Sequence, residues 1–274
     1  MARLVLGGGQ RRGRVMWLPL ILFAIYGVYY YFSNQETVEL TGRKQLVELS
    51  RDQEMALGLQ SYREVLSQEH VVRGGNAVDQ VRQIGSKLAA VAEDPGFEWE
   101  FNVIDSEQAN AFALPGGKVA VYTGILPIAE NTDGLAVIMG HEIAHAIARH
   151  GAERIAHQKL LQIGQMAASV ALSDMDVQTH HMVMGALGLG AQYGVMLPFS
   201  RDHESEADYM GLIYVARSCF DPQEAPKLWQ RMSQAGGRSP AEFMSTHPSH
   251  QTRIRQFEEW MPEALKIRSE KCGR

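Results

Sequence analysis

Hydrophobic residues along the chain fall into distinct patterns, and each predicts an element. Val15 to Phe32 is an unbroken uncharged run, VMWLPLILFAIYGVYYYF, about the length that crosses a bilayer core as a helix. Residues 33–50 are polar and read as a short tether. Met55, Leu59, Tyr62 and Leu66 then recur at helical spacing, and so do Val78, Val81, Ile84, Leu88 and Val91 beyond Gly74-Gly75. Both sets predict amphipathic helices that cover a core. After them the period shortens: Trp99, Phe101 and Val103 alternate with Glu98, Glu100 and Asn102, which predicts a half-buried strand. Asn110 to Leu114 and Lys118 to Gly124 read as two further strands joined by a tight turn at Pro115-Gly116-Gly117.

From Gly134 to His150, in GLAVIMGHEIAHAIARH, apolar residues and alanines dominate without a proline. This predicts a buried helix capped by Thr132 or Asp133. Helical character continues over Lys159 to Leu172, breaks over Ser173 to His181, and resumes from Met182 to Pro198. Neither piece is long and apolar enough for a second membrane span, so both read as peripheral or cleft-lining helices, with His180 and His181 in solvent. Asp221-Pro222-Gln223-Glu224 is a helix start, continued by Leu228, Trp229 and Met232 and ended by Gly236-Gly237. A last helix runs through Ile254, Phe257 and Trp260. The expected fold is α+β and mostly helical with a small β-sheet. Its parts are an N-terminus over 1–14, a transmembrane helix over 15–32, the tether over 33–50 and one domain over 51–274.

At 274 residues the chain can bury one sizeable core, and its 45% hydrophobic and 21% charged content is that of a globular protein. A net charge of -5 disfavours nucleic acid as a partner. Arg3, Arg11, Arg12 and Arg14 precede the apolar run, whereas mixed charges (Glu36, Glu39, Arg43, Lys44) follow it. That asymmetry puts the N-terminus in the cytoplasm and exports the rest. The run ends in Tyr29-Tyr30-Tyr31-Phe32, which suits a retained anchor better than a cleaved signal, and no cysteine follows it for lipid attachment. Cys219 and Cys272 are the only cysteines, and either one disulfide or two separate thiols fits their number.

The chemistry centres on His141-Glu142-Ile143-Ala144-His145. Positions four apart share a helix face, so His141 and His145 can offer two imidazole nitrogens to one zinc ion, with Glu142 placed to take a proton from the attacking water. His150 falls on another face of a continuous helix and reads as structural. A zinc site of this type needs a third protein ligand. A third histidine three residues past a glycine is excluded, because Ala148 and Gly151 occupy the corresponding positions. The remaining candidates lie in Ser200-Arg-Asp-His-Glu-Ser-Glu-Ala-Asp208. Glu204 and Asp208 share a face there: Glu204 can complete the metal shell while Asp208 orients a ligand histidine, and Glu206 points elsewhere.

The paired motifs H-E-I-A-H and S-R-x-x-E-x-x-A-D resemble the gluzincin metallopeptidases of the HtpX and CAAX prenyl protease family. Asn110-Ala-Phe-Ala-Leu-Pro-Gly-Gly, Cys219-Phe-Asp-Pro and Ser245-Thr-His-Pro-Ser are closer still to the branch of the mitochondrial inner-membrane stress protease and the periplasmic protease BepA. The resemblance implies a zincin-like domain with one zinc ion per chain on His141, His145 and Glu204. It places His247 by the cleft, as a fourth, displaceable ligand or as a donor to the oxyanion. A second oxyanion donor is expected among His247, Arg253 and a tyrosine. The expected activity is that of a membrane-tethered zinc endopeptidase with Glu142 as general base. Its substrates are expected to be misfolded or stalled envelope proteins, and its location the cytoplasmic membrane with the catalytic domain on the periplasmic side. A zinc-stabilised periplasmic chaperone or assembly factor with little proteolysis is the alternative.

Overall fold

The computed structural model describes residues 14–93, 96–195, 200–235, 243, 247 and 251–273. The chain forms two units, residues 1–35 with 155–196 and residues 36–154 with 197–274. Helix α1 (Trp17–Ser33) belongs to the first.

Apart from Gln35, the hairpin of β1 (Gln35–Thr37) and β2 (Lys44–Leu46) opens the second unit. Val38, Leu46 and Val47 are buried, so the stretch expected to be a tether is folded into this unit. Helix α2 (Arg51–Gln68) starts at a capping box in which Ser50 and Gln53 each accept from the other's backbone N–H. There follow β3 (Val71–Val72), α3 (Asn76–Ala89), β4 (Glu100–Ile104), β5 (Ala111–Leu114) and β6 (Lys118–Tyr122). Their sheet order is β3-β4-β6-β5, with β4 parallel to β6 and β5 antiparallel to it, so β5 is an edge. The turn before β6 places Gly116 at φ 85° and Gly117 at φ 79°, values that favour glycine.

Alternation splits the sheet residues between two faces. Ile104, Ala120 and Tyr122 meet Tyr62 of α2, whose hydroxyl donates to the Val119 carbonyl at 2.9 Å. Phe101, Val103, Val119 and Val121 instead join the main core with Val78, Val81, Ile84 and Leu88 of α3. A short helix α4 (Leu126–Ala129) leads into α5 (Thr132–Ile147). The cap of α5 is Asn131, whose Oδ1 accepts from Gly134 N at 2.8 Å, in place of the expected Thr132 or Asp133. Residues 134–146 are all buried, as the unrelieved apolar run predicts.

Helix α6 (His150–Ala171) begins in this unit and passes into the first, which also holds α7 (Val177–Val195). The second unit resumes with α8 (Arg201–Arg217), capped by Ser200, then α9 (Glu224–Ala235) and α10 (Gln251–Cys272). Helices α5 and α8 cross where Gly140 faces Gly211, and a β-carbon on Gly211 would lie 2.9 Å from His141 N. Cys219 and Cys272 form a disulfide with their Cα atoms 5.6 Å apart. The expected helix end at Gly236-Gly237 and the turn residues around His247, His250 included, lie outside the described residues.

Within the first unit, Met16 N donates to the Ala171 carbonyl at 2.8 Å and Lys159 Nζ lies 5.7 Å from the Tyr30 ring centroid. Among the described residues every exposed large apolar side chain except Leu57 belongs to this unit. Helix α1 occupies the expected membrane span, yet no helix among the described residues is long and apolar enough to cross a membrane. The arginines at 3, 11 and 12 lie outside the described residues. His181 is exposed as expected, but His180 is half-buried, with Nε2 3.4 Å from Ser169 Oγ.

Candidate metal centre

Successive turns of α5 carry His141 and His145, and the first turn of α8 carries Glu204. These three and His247 each offer one ligand atom within a cluster no wider than 4.8 Å, and all four are buried. His141 Nε2 lies 3.1 Å from His145 Nε2 and 3.2 Å from His247 Nδ1. Glu204 Oε1 lies 2.9 Å from His247 Nδ1 and 3.4 Å from His145 Nε2, and its Oε2 is 3.6 Å from His141 Nε2. Zinc bonds of about 2.0–2.1 Å in a tetrahedron separate ligand atoms by about 3.3 Å, so the cluster fits that ion.

The contacts of the outer nitrogens indicate the tautomers. His141 Nδ1 is 3.0 Å from Asp208 Oδ1, so it carries the hydrogen and leaves Nε2 a bare lone pair. Asp208 is held in turn by Arg253, whose Nε and Nη2 donate at 2.6 Å each, while Arg253 Nη1 donates to Glu204 Oε2 at 2.7 Å. The Arg253 guanidinium stacks 3.4 Å from the Trp229 ring centroid. Its bonds thus tie together the two carboxylates of α8, Glu204 and Asp208. Tyr209 and Tyr214, the tyrosines of α8, bond Glu263 and Glu93.

His145 Nδ1 meets the ring of His150 at 2.8 Å, and His150 Nε2 lies 2.8 Å from Glu206 Oε2. Neither His150 nor Glu206 was expected here. A continuous helix would turn His150 away, but α5 ends at Ile147 and Arg149 adopts φ 59°, which swings His150 back beneath His145. Arg149 keeps this left-handed conformation while donating to Glu54 at 2.7 Å, to the Leu49 carbonyl at 2.7 Å and to Glu36. Glu206 is buried and bonds Arg43 and Thr41 of the hairpin.

Burial holds His145 well below the ordinary imidazole value, so the ring is neutral, as a ligand must be. Burial alone would raise Glu204, but the surrounding imidazoles of His145, His247 and His141 outweigh it and keep the group an anion. Glu142 shows the opposite balance: burial pushes its carboxyl up against the pull of His247 and His141. Its Oε1 has no hydrogen-bond partner among the described residues and lies 3.5 Å from His247 Nε2. The backbone of Ala113, on edge strand β5, also pulls the same carboxyl down. His247 Nδ1 stands where the fourth ligand of a closed shell would be, with its ring stacked 4.7 Å from Phe243.

Residues 77–261 match peptidase family M48. The chain belongs to that family. Over 93% of this chain and 74% of its own length, mitochondrial metalloendopeptidase OMA1 of Schizosaccharomyces pombe is 39% identical. The human mitochondrial metalloendopeptidase OMA1 is 31% identical over 94% of the chain and 52% of its own length. The beta-barrel assembly-enhancing protease of Yersinia pestis is 29% identical over 75% and 43%. The M48 peptidase is thus a zinc metalloendopeptidase, as the paired motifs imply. The expected cytoplasmic-membrane location with a periplasmic catalytic domain is corrected. Relatives matched over nearly the whole chain are named mitochondrial, and no described helix of the M48 peptidase is long and apolar enough to cross a membrane.

Proposed function

We propose that this peptidase cleaves extended polypeptide at a zinc ion held by His141, His145 and Glu204, with His247 as a displaceable fourth ligand. The observation that carries the reading is the pair of Nε2 atoms 3.1 Å apart. Asp208 and His150 occupy the outward nitrogens, so two lone pairs converge where only a cation relieves their repulsion. Zinc, when bound, supplies Lewis acidity for the scissile carbonyl and makes water a nucleophile near neutral pH.

The protein's own groups do the rest. Glu142, made more basic by burial while the neighbouring imidazoles favour its ionised form, accepts the proton of the attacking water and delivers it to the leaving amine. The edge of β5, unpaired among the described residues, receives the substrate as an added strand, beside the Glu142 carboxyl on which the Ala113 backbone acts. When substrate displaces His247, that imidazole stays near the reacting oxygen as a donor. Unfolded or incompletely assembled protein is the substrate class, in line with the assembly-enhancing role in one relative's name. The apolar exterior of α1 and its unit is read as a surface for membrane lipid.

Casein digestion by the purified full chain, with zinc content measured on each variant, tests this. Glu142→Gln should retain zinc and lose cleavage, while His247→Ala should cleave faster than wild type. Substantial cleavage by Glu142→Gln would falsify the general-base assignment, and an unchanged rate in His247→Ala would remove the latch.

A further inference from the structure

The two ligand histidines are supported differently. Behind His141 stands a carboxylate, Asp208, with an arginine behind it. Behind His145 stands His150, and the carboxylate comes one imidazole later. His145 Nδ1 must carry the hydrogen if Nε2 is to bind metal, so it donates to His150 Nδ1 at 2.8 Å. His150 is then committed to carry its own hydrogen on Nε2, which donates to Glu206 Oε2 at 2.8 Å. Arg43 Nε donates to the same Glu206 oxygen at 2.6 Å, and Arg43 Nη2 to Glu153 Oε2 at 2.8 Å. Glu153 also accepts from His203 at 2.9 Å, and the His203 ring stacks 4.4 Å from that of His150.

His150, Glu153, His203 and Glu206 are all buried, an arrangement costly to desolvate unless each group is bonded. Only one placement of hydrogens satisfies the row from His145 to Arg43, and reversing any member would aim a hydrogen at the metal. We propose that Glu206, Arg43 and the intervening His150 are positioning residues that fix the orientation and proton of the ligand imidazole of His145. The β1–β2 hairpin thereby becomes a working part of the metal centre. The inference rests on the zinc reading above, since it assigns His145 Nε2 to the ion.

Zinc affinity of the full chain, measured by competition with a chromophoric chelator, and the visible spectrum of the cobalt-substituted protein test it. Outer partners of ligand histidines are worth about 10–100-fold in metal affinity. Glu206→Gln should therefore weaken zinc about tenfold and shift the cobalt bands. Arg43→Ala should do the same to a smaller degree, and Arg43→Lys should recover part of the loss. Glu93→Gln, which breaks the ion pair with Arg217, should leave zinc affinity unchanged. If Glu206→Gln fails to fold, the comparison of Arg43→Ala with Arg43→Lys carries the test. Folded Glu206→Gln and Arg43→Ala with wild-type affinity and cobalt spectrum would overturn the proposal. Wild-type zinc affinity in His145→Ala would overturn the zinc site itself, and that outcome is distinguishable from the first.

Discussion

Gly211→Ala separates helix propensity from metal geometry. In an unobstructed helix the change favours folding by about 1 kcal/mol. At Gly211 the new β-carbon would lie 2.9 Å from His141 N, 3.0 Å from Gly140 C and 3.1 Å from Gly140 O, whereas ordinary contact begins near 3.4 Å. All three are backbone atoms of α5, so no side chain can turn aside. The helices must part by roughly the difference, and such overpacking costs about 1–3 kcal/mol. The net effect on the metal-free protein is then a loss of about 0–2 kcal/mol in urea unfolding. The metal feels more, because Glu204 rides on α8 while His141 and His145 ride on α5, and zinc bonds tolerate only about 0.2 Å. Chelator competition should show zinc weakened about tenfold or more. Gly185→Ala, with nothing within 4 Å, serves as the propensity control. If Gly211→Ala gained stability like that control and bound zinc as wild type does, the close helix crossing would have no part in assembling the site.

Three further outcomes are expected. Arg253→Ala strands Asp208 and Glu204, which are 2% and 1% exposed, and should cost the metal-free protein about 3–5 kcal/mol in denaturant unfolding. Cys272→Ala opens a 53-residue loop and should cost about 2–4 kcal/mol by the same measurement, with a reducing agent producing a similar loss in wild type alone. Burial would raise Glu153, but hydrogen bonds from His203 and Arg43 hold it at about 2, below its ordinary 4.5. Its stabilising contribution is complete above about pH 4.5 and disappears as pH falls toward 2. The stability gap between wild type and Glu153→Gln should accordingly close over that interval; a gap that stayed constant would sink the assignment.

Local rules accounted for much of this architecture. The unrelieved apolar run of α5, the alternation in β4 and the Gly116-Gly117 turn each lie within a few residues of their cause, and each appears as expected. Helical spacing also brought His141 beside His145 and set Glu204 and Asp208 on one face, where Arg253 bonds both. What it missed depended on one backbone angle: Arg149 at φ 59° redirects His150, and the partners that hold it, Glu36 and Glu54, are about a hundred residues away. Polarity alone made residues 33–50 a tether, because Arg43 and Gln45 look solvated until Glu153 and Glu206 are seen to face them.

The spread of the four clustered residues along the chain has a further consequence. Glu204 and His247 are 43 positions apart, and His141 and His247 are 106 apart. An ion gripped by all of them closes large loops that the unfolded chain leaves open, so it acts as a reversible cross-link. Unlike the disulfide, its strength follows supply: above the dissociation constant, each tenfold rise in free zinc adds about 1.4 kcal/mol to the folded state. Molecules starved of the ion would open more often and be digested first by other proteases, so the lifetime of the enzyme would itself report on zinc availability.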